Sequence, residues 1–413
     1  MSQAGIAVLS LISLFSVSLA SRAQDAISQS DRVLTATKIY QQVTTFFPDL
    51  STKQFEKDYS DYINQILSAP DDRRGFDLAS MALVATLHDA HSWFYDQWFD
   101  KQYGQAVGFT AYPLSGKWVV VRTGVGALRI GDVIEAIDGT PTQQFFERSR
   151  KYISASSDRD AGVSFFDTPV LFPERFTLTL DGGRRAVIDR VHDKKQEPSM
   201  QSEGRLLANG TVAYIHVPVF RGITTQAQAL DYLKQFHEAR AVIIDVRGNP
   251  GLGDGGALQR SLMGKPYPSW NENSSVKGGL LLRHFGARPE SVHVASAEVT
   301  IGVAEGAYTG PLFLLIDRGC TCACEDFVMP FKFANRAQLV GETTAGSYSS
   351  TSFTQFDNGM MLNIASVRHI FPDGSRFEGV GIVPDIEVER TVEDLKAGRD
   401  MVLERAVALA TSK

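Results

Sequence analysis

The chain predicts an α/β protein in which a helical N-terminal unit and a small β-domain precede a largely parallel α/β core. Three observations carry this. In the second half, runs apolar on both faces (212–219, 241–246 and 312–316) alternate with helical stretches such as 225–239, the pattern of parallel strands covered by helices. Between about residues 30 and 90 the apolar positions recur at helical spacing instead. Between 103 and 191 the pattern becomes short strands broken by turn residues.

Taken in order, residues 6–20 are an apolar run closed by Ser21-Arg22-Ala23. This small-x-small ending predicts a secretory signal peptide over 1–23, cut after Ala23 or Ala20, although no positive charge precedes it. No later run approaches the roughly 20 apolar residues of a membrane span, so the mature protein is expected to be secreted or periplasmic. Residues 24–102 form the helical unit. Val33, Ile39, Tyr40 and Val43 share one apolar face, and Tyr59, Tyr62, Ile63 and Ile66 another. A third helix, 76–87, ends at His88-Asp89-Ala90-His91-Ser92. Strands are expected at 108–112, 118–121, 132–137 and 176–180 in the β-domain, 103–191, and a polar linker, 192–203, leads to the core, 204–413. A net charge of −6 without a Lys/Arg stripe argues against a nucleic-acid binder.

All three cysteines lie within the five residues Cys320-Thr321-Cys322-Ala323-Cys324, after the apolar run 311–316 and before a helix at 325–334. A small-residue turn from strand to helix aims backbone N–H groups and the helix's positive end at one point. That setting lowers a thiol pKa and stabilises a developing oxyanion. Cys322 is thus a candidate nucleophile. A Cys320–Cys324 disulfide with a buried Cys322 is an equally local reading, and so is a metal knot, for which nothing nearby supplies further ligands. A second turn, Asp245-Val246-Arg247-Gly248-Asn249-Pro250-Gly251, follows the strand at 241–244 and offers the Gly251 N–H as an oxyanion donor, or is simply a tight turn.

Read together, the Asp-x-Arg-Gly-Asn-Pro-Gly turn, the small-residue turn ending in Glu325, Val340-Gly341-Glu342-Thr343-Thr344-Ala345-Gly346, and the segment 371–385 resemble, in this order, the C-terminal-processing (tail-specific) peptidase family, including its tricorn-like branch. The resemblance spans about 204–388 and implies a crotonase-like ββα peptidase core. It sets Cys322, three residues before Glu325, where the family has its nucleophilic serine, and makes Ala323 the oxyanion donor beside Gly251. Ser347 stands where the Ser/Lys branch carries its lysine, which excludes that dyad. Leu87-His88-Asp89-Ala90-His91 matches the setting of the tricorn-like base, so His91 is the expected base, with His88 its nearest rival, and Glu378 the expected orienting carboxylate. Upstream, 128–141 resembles the central strand and turn of a PDZ domain. That resemblance puts Gly108 and Phe109 in the loop that receives a peptide by strand addition.

The expectation is a secreted or periplasmic endopeptidase that hydrolyses unstructured polypeptides or C-termini through an acyl-enzyme, with no metal or cofactor required and a polypeptide as its partner. The alternative is a non-catalytic member that binds peptides or apolar ligands. A third reading locks Cys322 in a disulfide with Cys320 or Cys324 and activates it by reduction.

Overall fold

The computed structural model describes residues 26–48, 50–68, 72–192, 200–276, 292–295 and 299–412; the expected signal peptide lies outside them. Helices α1 (Gln29–Phe46), α2 (Thr52–Ser68) and α3 (Arg73–Ala85) come first. Ser28 Oγ accepts the Asp31 N–H at 3.1 Å to start α1, and Asp72 accepts the Arg74 and Gly75 N–H groups at 3.1 Å to start α3. A turn then leads into β1 (Trp93–Asp96) and α4 (Gln97–Tyr103).

The β-domain holds a hairpin, β2 (Phe109–Leu114) and β3 (Lys117–Thr123), and a four-stranded sheet. That sheet runs β5-β4-β6-β7, with β4 Ile134–Ile137, β5 Thr140–Pro141, β6 Arg175–Leu180 and β7 Arg185–Asp189. Between β5 and β6 lie α5 (Thr142–Ser149) and α6 (Asp158–Ser164). The core of this unit is aromatic: Phe109, Trp118, Phe146, Phe165, Phe166, Phe172 and Phe176 pack together.

The rest of the chain supplies β8 (Glu203–Leu207), β9 (Val212–His216), α7 (Gly222–Gln235), β10 (Ala241–Asp245) and α8 (Gly256–Leu262). Next come the short strands β11 (Tyr267–Pro268), β12 (Asn271–Val276), β13 (Val292–Ala295) and β14 (Thr300–Ile301). They are followed by β15 (Leu312–Ile316), α9 (Ala323–Phe333), β16 (Gln338–Gly341), β17 (Thr351–Gln355), β18 (Met360–Ala365) and β19 (Arg368–Ile370). Last are β20 (Ile386–Glu387), α10 (Val392–Ala397) and α11 (Met401–Thr411).

The central sheet runs β20-β16-β15-β10-β9-β8 and is parallel except at β8. Alternate residues of its strands face opposite layers. Ile215, Ile244 and Leu314 meet Leu258 of α8 and Phe327 of α9, while Ile243, Phe313 and Val340 meet Val402 and Ala406 of α11. This is the α/β core expected from the doubly apolar runs. The loops after β10 and β15 leave neighbouring strands at their carboxyl ends, where open α/β sheets bind ligands.

The helical unit does not bury its apolar face alone. Ile39, Val43, Ile66 and Leu83 pack on Phe94 of β1 and on Met360, Leu362 and Ile364 of β18, strands of a separate sheet ordered β1-β18-β17. The turn before β1 is thereby fixed against segments some 270 residues later in the chain, such as Asn363, whose side chain donates to the His91 carbonyl.

Candidate active site

The nucleophile turn is tied at both ends. Asp317 Oδ1 accepts the Gly248 N–H at 2.8 Å and the Gly319 N–H at 2.9 Å, joining the loops after β10 and β15. Cys320 and Cys324 form a disulfide with Cα atoms 5.4 Å apart, and Cys322 is free. The local disulfide and the free candidate nucleophile therefore coexist, and the reading that locks Cys322 in a disulfide is corrected. Cys322 caps α9 with φ 57° and ψ −126°, a conformation that costs a non-glycine residue about 1–3 kcal/mol. It is held there by its N–H, which donates to the Ser347 carbonyl at 2.8 Å, and by its carbonyl, which accepts from Glu325 N at 2.9 Å and Asp326 N at 3.1 Å.

Gly251 lies against this turn. Its φ is +80°, and a Cβ there would stand 2.6 Å from Ala323 N and 3.0 Å from Cys322 Cβ, so no other residue fits without displacing the turn. Its own N–H is engaged elsewhere, donating to Asn249 Oδ1 at 2.8 Å. The backbone amides that favour the charged form of the Cys322 thiol are those of Ala323 and Leu252, the latter at φ 63°. Burial pushes the Cys322 thiol pKa up; the Ala323 and Leu252 amides oppose this without prevailing, and the carboxylates of Glu325 and Asp326 reinforce it. The direction is opposite to the expected depression: desolvation outweighs the two amides, which leaves the resting thiol protonated.

His91 sits at the end of the turn before β1. Asp89 is fully buried and organises that turn, its Oδ1 accepting the His91 N–H at 2.9 Å and the Ser92 hydroxyl at 3.1 Å. Arg368 Nη1 donates to Asp89 Oδ2 at 2.9 Å, and Asn363 Nδ2 donates to the His91 carbonyl at 2.7 Å. The imidazole Nδ1 lies 3.1 Å from Ser347 Oγ. Cys322 and His91 thus meet on one residue, the first through the Ser347 carbonyl and the second through its hydroxyl. Burial lowers the His91 pKa, with Asp89 opposing, so the ring is neutral near pH 7. His88, at φ 51°, instead lines a 430 Å³ cavity with Phe47, Arg368 and Glu378.

Two carboxyl groups support the arrangement. Glu325 is fully buried; its Oε1 accepts the Thr344 hydroxyl at 2.5 Å and the Gly346 N–H at 2.7 Å, and its Oε2 the Ser347 N–H at 2.8 Å. It pins the residue that holds both Cys322 and His91. Burial pushes its pKa up to about 7 despite these donors. Glu378 Oε1 accepts the Ser156 hydroxyl, and Ser156 Oγ accepts the Ala90 N–H at 3.1 Å, so this carboxyl reaches the histidine turn through Ser156. Arg368 Nη1 stands 3.7 Å from its Oε2. Burial, with Asp89 adding to it, holds the Glu378 pKa well above the carboxylate range.

Gly108 and Phe109 lie apart from this cluster. Both are buried; the Gly108 carbonyl accepts the Gly124 N–H at 2.9 Å, and the Phe109 ring packs tilted against Phe166 with centroids 4.9 Å apart. Helix α6 is pressed onto β2, where a Cβ on Gly162 would come within 3.0 Å of Pro113 Cδ. Polypeptide-sized space lies in an 800 Å³ cleft between the β-domain and the core, lined among others by Tyr112 of β2, Asp160 of α6, Leu252, Thr321 and Ala345. Among the described residues no group of three or more His, Cys, Asp or Glu side chains is placed to hold a metal ion, and no helix is long and apolar enough to cross a membrane.

A strained strand-to-helix turn carrying a free cysteine and a histidine from a distant segment meet at Ser347, in a chain whose similarities are those of a protease. Residues 211–388, which hold the parallel strands of the central sheet, match Peptidase family S41. The chain is 21% identical over 348 residues to the carboxy-terminal processing protease CtpA of Bacillus subtilis, covering 83% of this chain and 69% of that one. It is 24% identical over 289 residues to a putative tricorn-like protease C-terminal subunit of Sulfurisphaera tokodaii, covering 68% of this chain but 29% of that protein. The fold is similar to that of mature CPAF complexed with lactacystin, with a TM-score of 0.70, 13% identity and coverage of 92% and 97% of the two chains. The photosystem II D1 C-terminal processing protease shares it with a TM-score of 0.54, 18% identity and coverage of 88% and 94%.

Proposed function

We propose that the chain is an endopeptidase that cleaves unstructured polypeptides through a thioester formed on Cys322. The convergence of Cys322 and His91 on Ser347 is the observation that carries this reading. Because the thiol and the imidazole are both neutral at rest, His91 removes the sulfur's proton as the sulfur attacks the carbonyl, rather than starting from a thiolate–imidazolium pair. The Ala323 and Leu252 N–H groups receive the developing oxyanion, with Gly251 supplying the close approach of the loop rather than a donor. His91 then passes its proton to the leaving amine, and water attacks the thioester, giving its proton to His91 and restoring the thiol.

Ser347 accepts the Nδ1 proton and keeps Nε2 free as base, while Glu378 positions the turn through Ser156. An oxidising compartment, secreted or periplasmic, suits the Cys320–Cys324 disulfide. The raised thiol pKa favours a second reading, a non-catalytic peptide binder.

Casein cleavage by the parent, Cys322→Ala and Cys322→Ser chains separates the two readings. Loss of cleavage in Cys322→Ala alone supports the peptidase. Activity only in Cys322→Ser marks a silenced enzyme, and no activity in any form leaves the binder.

A further inference from the structure

We propose that the outer face and free edge of the β1-β18-β17 sheet bind the part of an extended polypeptide on the leaving-group side of the scissile bond. Trp93 and Phe353 form the surface that selects an apolar side chain there. The proposal rests on the peptidase reading and gives the substrate its direction. An acid that protonates the leaving amine must lie within hydrogen-bond reach of it, so the chain beyond that nitrogen passes over the elements that carry His91. Those elements are the turn before β1 and β1 itself. The acyl side then falls toward Leu252 and the 800 Å³ cleft.

The sheet is built for such an occupant. Trp93 and Phe353 both register with Asn363 of the central strand β18, so the three side chains share one face. Asn363 is short, and the two rings meet over it with centroids 6.3 Å apart. The opposite face carries Phe94, Leu362 and Ile364 into the core, yet Phe353 is 55% exposed. His91 lies two residues before Trp93, which puts the base at the margin of this aromatic surface.

Among the described residues the edge is open as well. Ser366 N–H donates to the Ser350 carbonyl at 2.8 Å and Phe356 N–H to the Met360 carbonyl at 2.9 Å, so the even-numbered residues of β17 face β18. Antiparallel pairing alternates, so the backbone groups of Thr351, Phe353 and Gln355 point away from the sheet. β17 is an edge strand, and all three of these residues are exposed. Edge strands are ordinarily guarded by charge, proline or a bulge, and Thr-Ser-Phe-Thr-Gln has none of these. An extended polypeptide adding to this edge sets alternate side chains on the Trp93–Phe353 surface.

The test uses labelled peptides in which each of three leaving-side positions is in turn Leu or Gly. In the parent, one position favours Leu in kcat/KM by roughly tenfold, the low end of what an apolar pocket discriminates. In Phe353→Ala that ratio falls toward one, and in Phe353→Leu it is largely kept. Phe353 lies outside the packed face, so the variants retain the core. A parent without leaving-side preference, or a preference unchanged in Phe353→Ala, overturns the proposal. Anisotropy of the same peptides on Cys322→Ala gives a second readout that needs no turnover. A Leu preference in binding that depends on Phe353, without any cleavage by the parent, would sustain the surface and sink the peptidase reading instead.

Discussion

Replacing Ser347 by Ala removes one hydroxyl and nothing else from the candidate site. The Ser347 N–H still meets Glu325 and its carbonyl still meets Cys322, because both contacts are main-chain. Only the contact of Oγ to His91 Nδ1, at 3.1 Å, is lost. In the resting enzyme that is a neutral hydrogen bond, of net value about 1 kcal/mol; when His91 carries the proton it becomes a bond to a charged donor, of about 1.5–3 kcal/mol. The difference, about 1–1.5 kcal/mol, acts only as the imidazolium forms, so kcat/KM should fall by about tenfold with KM little changed. Removing a partner of the charged form also lowers the His91 pKa further, so the acid limb of activity moves to lower pH. The assay is kcat/KM on a fluorogenic peptide from about pH 5 to about pH 8, with melting temperature as the check on folding. Parental rate with an unmoved acid limb in Ser347→Ala would refute the assignment of Ser347 as the group that orients the base.

The remaining expectations concern the shell around that contact. Glu378 is held protonated near neutrality by burial, so Glu378→Gln should keep near-parental activity at pH 7 while Glu378→Ala loses about tenfold, through the Ser156 contact to the histidine turn; equal loss in both would assign the role to charge instead. Glu325, at about 7, is raised above its ordinary 4.5, so its contribution to stability is complete below that ordinary value and is lost as pH rises through 7. The span amounts to about 3 kcal/mol. The melting-temperature difference between the parent and Glu325→Gln should therefore shift against the parent between about pH 5 and about pH 8, and a constant difference would contradict it. The Cys320–Cys324 disulfide closes a loop of sequence separation 4. Loop entropy alone assigns it about 2 kcal/mol, so Cys320→Ala/Cys324→Ala should unfold at lower denaturant, while the native parent titrates as a single thiol; two or more thiols would mean the clasp is absent.

The parts of this site that were legible in the sequence are those fixed by neighbours along the chain. The buried strands β10 and β15 announce themselves as unbroken apolar runs, and the turns that follow them as small-residue clusters, so Cys322, Gly251 and Ala323 could be named from pattern and family resemblance. Two features depend on tertiary placement and were not. The sign of the thiol's pKa shift is set by how much water the fold removes, which no nine-residue window contains. Ser347 was noticed only as the lysine that is missing; its hydroxyl reaches His91 because the β1-β18-β17 sheet brings segments 256 residues apart into contact. The choice of Leu252 over Gly251 as donor did leave a local trace. An Asn two residues before a turn amide commonly captures that amide with its side chain, and Asn249 stands two before Gly251. Once Asn249 takes the Gly251 N–H, the next amide, that of Leu252 at φ 63°, is the one left for the site. The positive φ values of Leu252 and Cys322 fall in the two loops that meet at the carboxyl ends of β10 and β15, and the disulfide, Asp317 and Glu325 hold these bends against relaxation.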